Sequence, residues 1–327
     1  MIVDHSDLTS ILCLRQTSLE LRAHAQAILL DDKTALLAFY VARHDKLWQH
    51  LADWGAVVGG FAALSFLLRD PLLLNTTLEI YVSPLNSDHL EQVLQEDFDL
   101  ALAQTGTQHW RLNRYATCRQ ISHTTSFICP NGRYIDVHTA ATSSSLDPIA
   151  SSVITAFSNW VSPHAFACAY PALTLRRRAL RSLPSSASPE LPGVYSHLIG
   201  HGFSIEQDAA SWSDWSALVQ DVPPPGSRPC LRQAFLCLTQ ARYFGDAGSL
   251  LNVFEPKEYG LRRLRSEHLP PFGISVVWRM LGPPCDGPCS FKDPLLPGDI
   301  ITLPSVLIPP TTWFRLTYVG PDVVSPI

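Results

Sequence analysis

Apolar positions along this chain follow two rhythms, and the switches between them mark its elements. Over residues 16–50, Leu21, Ala25, Leu29, Leu30, Leu36, Leu37, Phe39 and Tyr40 recur mostly at three- and four-residue steps. That is the stripe of a helical region, with Asp31-Asp32-Lys33 as an expected break. After Asp53-Trp54-Gly55 the pattern shortens. Ala56-Val57-Val58 predicts a buried strand, Gly59-Gly60 a turn, and Phe61–Arg69 an apolar helix stopped by Asp70-Pro71. Thr77–Val82 is β-branched and aromatic and predicts a second strand. Asp88–Glu96 predicts a helix capped by Asn86 or Ser87, and Gly106–Trp110 a turn. Cys118–Ile128 and Tyr134–Thr139 predict a hairpin around Pro130-Asn131-Gly132, where Asn-Gly is a strong turn signal.

Further along, Asp147–Trp160 predicts a helix with Ile149, Val153, Ile154 and Phe157 as its apolar stripe. Ala172–Leu183 predicts another, opened by Pro171 and carrying Arg176, Arg177, Arg178 and Arg181 on a solvated face. Pro184–Gly193 has the composition of a linker. Helices are expected near Trp212–Val219 and Leu231–Tyr243, and short strands at Ile274–Trp278, Ile300–Leu303 and Trp313–Val319. His197 and His201 flank a glycine and read as loop residues. These elements predict an α+β fold, a mixed sheet flanked by helices. The core with its N-terminal helices spans 1–185, and a helical, proline-rich region with short strands (186–327) packs on it.

Composition narrows the classes. Of 327 residues, 46% are hydrophobic, enough for a sizeable core, and only 16% are charged, below the roughly 25% of an average globular protein. A net charge of −5 gives no strong nucleic-acid signal. Trp54–Leu68, the longest strongly apolar run, is short for a membrane span and is interrupted by two glycines. The uncharged stretch Pro148–Leu175 carries prolines, Asn159 and serines, so both read as buried core. Asp4 and Asp7 argue against a secretory signal. The expectation is a soluble protein of the cytoplasm or nucleus, with no membrane partner. The eight cysteines are scattered, which is not a secreted disulfide pattern. Cys285 and Cys289 form the one tight pair, in a Pro/Gly-rich loop without a second pair to complete a zinc site.

Chemistry is suggested by the strand–diglycine–helix–strand order. A Gly-Gly turn at a helix N-terminus lets backbone N–H groups approach phosphate closely. Nucleotidyl transfer also needs metal ions held by carboxylates. Two acids at i and i+2 on a strand share a face, and a third arrives from a neighbouring strand. Here Thr77 and Glu79 occupy the i and i+2 positions, with Tyr81 next on that face. Asp136 lies on a later strand between Tyr134 and His138, alternating with Ile135 and Val137. The bland alternatives are a turn needed for packing, a surface carboxylate on an edge strand at Glu79, and a solvated sheet face at Asp136 and His138.

In this layout the chain resembles the nucleotidyltransferase-fold proteins common in basidiomycete fungi, which are mostly uncharacterised. Val57–Leu68 and Leu78–Val82 match their glycine turn, apolar helix and acidic strand. Leu146–Ile149 through Asn159–Val161, Tyr170–Thr174 and Tyr243–Asp246 resemble later family segments, so the resemblance spans about 45–255. It implies a nucleotidyltransferase-like sheet with Glu79 and Asp136 as metal-binding, catalytic acids. Gly59, Gly60, Thr77 and His138 would line the cofactor position, with Mg²⁺ and a nucleoside triphosphate bound if the protein is active. The family's first aspartate, however, falls on Thr77, a neutral and poor Mg²⁺ ligand. Loss of a shared metal ligand lowers the rate on the order of 10³-fold or more. The first expectation is therefore a catalytically degenerate protein, with no required cofactor, that binds a ligand or partner, a nucleotide or a protein. The alternative is an active metal-dependent nucleotidyltransferase acting on a small molecule or RNA. A purely structural interaction module built around the proline-rich end is a third. No Gly-x-Ser-x-Gly turn, phosphate loop ending in Gly-Lys-Ser/Thr, His-Glu-x-x-His or Gly-x-Gly-x-x-Gly motif occurs.

Overall fold

A computed structural model describes residues 6–103, 120–182, 192–214, 231–254 except 233, 276–280 and 300–302. The chain divides into two compact units. The first takes Met1–Ile149, Asn159–Ala167 and Leu251–Pro270; the second takes Ala150–Ser158, Cys168–Leu250 and Pro271–Ile327.

Helical periodicity governs the start of the first unit, as α1 (Leu8–Leu14), α2 (Leu19–Ala38) and α3 (His44–Asp53). Asp7 and Ser18 cap the first two by accepting from the Ser10 and Leu21 N–H groups. The break expected at 31–33 does not occur, because those charges have tertiary partners. Asp32 pairs with Arg69 at 2.7 Å, and Lys33 donates to the Pro163 carbonyl at 2.9 Å while lying over the Trp48 and Phe254 rings. The helix ends instead where Tyr40 turns inward, fully buried.

Next come β1 (Val57–Val58), α4 (Gly60–Leu68), β2 (Thr77–Val82), α5 (Ser87–Phe98) and β3 (Ala101–Leu102). The hairpin β4 (Ile121–Ile128) and β5 (Tyr134–Ala140) follows, joined where the Gly132 N–H donates to the Cys129 carbonyl. α6 (Asp147–Ala150), β6 (Asn159–Val161), β7 (Ala165–Cys168) and, far later, β11 (Leu250–Val253) complete the set. Eight strands make one mixed sheet, ordered β11-β7-β6-β1-β2-β5-β4-β3. β2 and β5 run parallel at its centre, whereas β1–β2, β1–β6, β4–β5 and β3–β4 are antiparallel. Leu78, Ile80, Val82, Ile135 and Val137 fill one face completely buried. α5 lies over that face, anchored where Thr125 donates to Glu91. Arg15 holds the edge strand β11 by donating to the Asn252 side chain and to the Val253 and Phe254 carbonyls.

Three predicted helices are corrected. Residues 147–160 form only the single turn α6, a short 3-10 turn at Thr155–Phe157 and then β6. Ser152 bonds the Ile154 backbone through its hydroxyl, which competes with a helical ladder. Pro171–Thr174 is also one turn, α7, ended where Arg177 takes a left-handed φ of 53°. Arg178 then begins β8 (Arg178–Leu180), parallel to β9 (Ser204–Glu206), so the arginines do not share a helix face. α8 (Pro192–Gly200) lies between these strands in sequence and contains His197, which is thus helical rather than looped. Residues 231–243 form turns and the strand β10 (Arg242–Tyr243), which joins β12 (Val276–Trp278) and β13 (Ile300–Thr302) in an antiparallel sheet. The expected Trp212–Val219 helix does not begin at 212–214, and its remainder lies outside the described residues. So do the 106–110 turn, most of the 184–193 linker, Cys118, Cys285, Cys289 and the 313–319 strand. Among the described residues no helix is long and apolar enough to cross a membrane.

Burial sets the thiol chemistry. Cys13 is exposed, whereas burial pushes the Cys129 and Cys168 thiols up to about 11 from 9.0. The folded state keeps these protons after the unfolded chain has lost them, so stability is expected to fall as pH rises from about 9 towards 11. Alkylation at pH 8 mapped by peptide mass spectrometry should label Cys13 first and leave Cys129 and Cys168 untouched until denaturant is added. Equal labelling of all three would contradict their burial.

Candidate functional site

Register on the central strands builds the site. Parallel pairing sets Thr77 beside Tyr134, Glu79 beside Asp136 and Tyr81 beside His138. Across β5 the antiparallel partner of Asp136 is Ser126, and that of His138 is Thr124. Paired residues share a face. One face of three strands therefore carries two polar rows, Glu79–Asp136–Ser126 and Tyr81–His138–Thr124. The two predicted acids are lateral neighbours on strands about 4.8 Å apart.

This face is closed. Glu79 is 3% exposed, Asp136 4% and His138 0%. The edge-strand and solvated-face alternatives therefore fail, since β2 lies in the sheet interior. Each of the three side chains has at least one partner within the chain, as buried polar side chains require. The Tyr81 hydroxyl donates to Glu79 Oε2 at 3.0 Å, and the Ser126 hydroxyl donates to Asp136 Oδ1 at 2.7 Å. Thr124 Oγ1 lies 2.9 Å from His138 Nδ1, and the Tyr81 and His138 rings meet at 4.9 Å.

The diglycine turn explains the tightness. Gly60 has φ +59°, and a Cβ added there would lie 2.2 Å from Glu79 Oε2 and 2.4 Å from its carboxyl carbon. At Gly59 an added Cβ would lie 2.6 Å from the Tyr81 ring and 3.3 Å from Ile149 Cδ1. Both glycines are needed so that Glu79 and Tyr81 can lie directly on the turn. The Glu79 carboxylate thereby rests at the N-terminus of α4, where the helix dipole favours negative charge.

Thr77 opens β2 half-buried. Its N–H donates to Asn75 Oδ1 at 2.9 Å, and its carbonyl accepts from the Tyr40 hydroxyl at 3.4 Å. Burial, reinforced by the negative charge of Glu79, pushes the Tyr40 phenol above its ordinary range. Beyond the strands, Thr142 donates to the fully buried Asp147, and Ser145 donates to the Gly55 carbonyl. Among the described residues, no cluster of three or more His, Cys, Asp and Glu side chains is arranged to hold a metal. Sequence reasoning missed Ser126, Thr124 and Tyr40. The first two were available by counting back from the Asn131-Gly132 turn to the residues opposite Asp136 and His138. Tyr40 had no local signal, because its contacts come from residues 35 and 37 positions along the chain.

No protein-family model matches the sequence, and no curated protein matches it. Among solved structures the chain has a weak, partial likeness to the Thermotoga maritima CCA-adding enzyme complexed with tRNA, a nucleotidyltransferase. The identity is 19% and the TM-score 0.26, over 39% of this chain, and the chain spans 28% of the length of that enzyme.

Proposed function

We propose that the chain contains a nucleotidyltransferase-like core whose catalytic face has become a packed structural element. On this reading the protein does not transfer nucleotides and serves as a binding module for a ligand or protein partner. The nucleotidyltransferase-like core is assigned to residues 1–185 and its extension to 186–327.

One observation carries the reading: the Glu79 carboxylate lies against the Gly60 backbone, where a substrate phosphate would need to approach. Three others support it. Thr77 offers no charge where the family has its first acid. Glu79 and Asp136 each accept a hydroxyl hydrogen bond from their own sheet. Both are almost wholly shielded from solvent. Mg²⁺ asks for near-octahedral oxygen ligands at about 2.1 Å, usually keeping several waters. These residues do not fit that requirement in their present packing.

A second reading, an active enzyme, is favoured by the lateral pairing of Glu79 with Asp136. Calorimetric titration separates the two, using ATP, GTP, CTP and UTP in turn, each with and without Mg²⁺ or Mn²⁺. The degenerate reading expects no metal-dependent nucleotide binding. Metal-dependent binding that disappears in Asp136→Asn would establish the enzyme reading instead.

A further inference from the structure

We draw no further inference here: the strongest candidate, the Arg178 side chain on β8 with its guanidinium over the Trp212 ring and its Nη1 without a hydrogen-bond partner among the described residues, is already ion-paired with the Asp214 carboxylate and keeps that nitrogen buried, so no anion site open to a ligand is shown.

Discussion

Gly60→Ala is expected to destabilise the protein by about 2–5 kcal/mol, the larger part from forcing Glu79 off the turn. Two effects act together. A non-glycine residue in the left-handed region costs about 1–2 kcal/mol. The new methyl would also sit 2.2 Å from Glu79 Oε2, far inside contact distance. Glu79 has little room to retreat, because it is 3% exposed and its oxygen is held by Tyr81. Overpacking of this kind adds about 1–3 kcal/mol. Guanidinium denaturation followed by tryptophan fluorescence measures the loss. A loss under about 1 kcal/mol would mean that the carboxylate swings aside freely, and the turn would then be an open loop rather than a filled one.

Arg242→Met should be comparably damaging in the second unit, at about 3–5 kcal/mol, because it strands a buried carboxylate. Arg242 is fully buried and Asp246 is 7% exposed. The guanidinium donates to both Asp246 oxygens, at 2.6 and 2.9 Å, and to the Phe235 and Ala169 carbonyls. It also stacks over Tyr170, 4.5 Å from the ring centroid. Asp246 in turn accepts from the Tyr243 and Gly248 N–H groups. One cation thus organises the 235–249 loop, and methionine keeps the volume but none of the five contacts. Arg242→Lys should recover only part of the loss, since an ammonium cannot form the paired bonds or stack as a plane. Denaturation of the two variants side by side checks the order. Equal stability of Met and wild type would show that the pair contributes nothing net.

The four adjacent strands β1, β2, β5 and β4 were legible in the sequence, whereas β3, β6, β7, β11 and much of the second unit were not, for physical reasons. β2 and β5 announce themselves by two-residue alternation, and the Asn131-Gly132 turn sets the β4–β5 register without any tertiary information. α4 is bounded by local signals at both ends, a glycine turn and Asp70-Pro71. The misread segments share a different property. At 147–160 and 172–183 the apolar spacing suits a helix. Hydroxyl-to-backbone bonds at Ser152 and the left-handed Arg177 divert the chain, and β8 finds its partner β9 more than twenty residues later. The 231–243 segment fails similarly, since Arg242 is held by contacts reaching back to Ala169. The opposite error at 31–33 arose because the charges there are bonded to Arg69 and Pro163 rather than breaking the helix.

For the candidate face, alternation shows that Thr77, Glu79 and Tyr81 share one side and that Asp136 and His138 share another strand's side. Their lateral pairing needs a parallel register between strands more than fifty residues apart, which no local pattern supplies. Their burial depends on how closely Tyr81 and Ile149 approach Gly59, again a tertiary fact. A Gly-Gly turn reads equally as room for a phosphate or as room for a side chain of the same chain. Only the contact distances distinguish the two.

A double-mutant cycle on Gly60 and Glu79 addresses that distinction most directly. If the glycine exists to receive the carboxylate, Gly60→Ala should cost about 1–3 kcal/mol less in a Glu79→Ala background, where only the backbone strain remains. Losses that add to within about 0.5 kcal/mol would show that residue 60 does not sense the carboxylate, and the filled-turn account would fall.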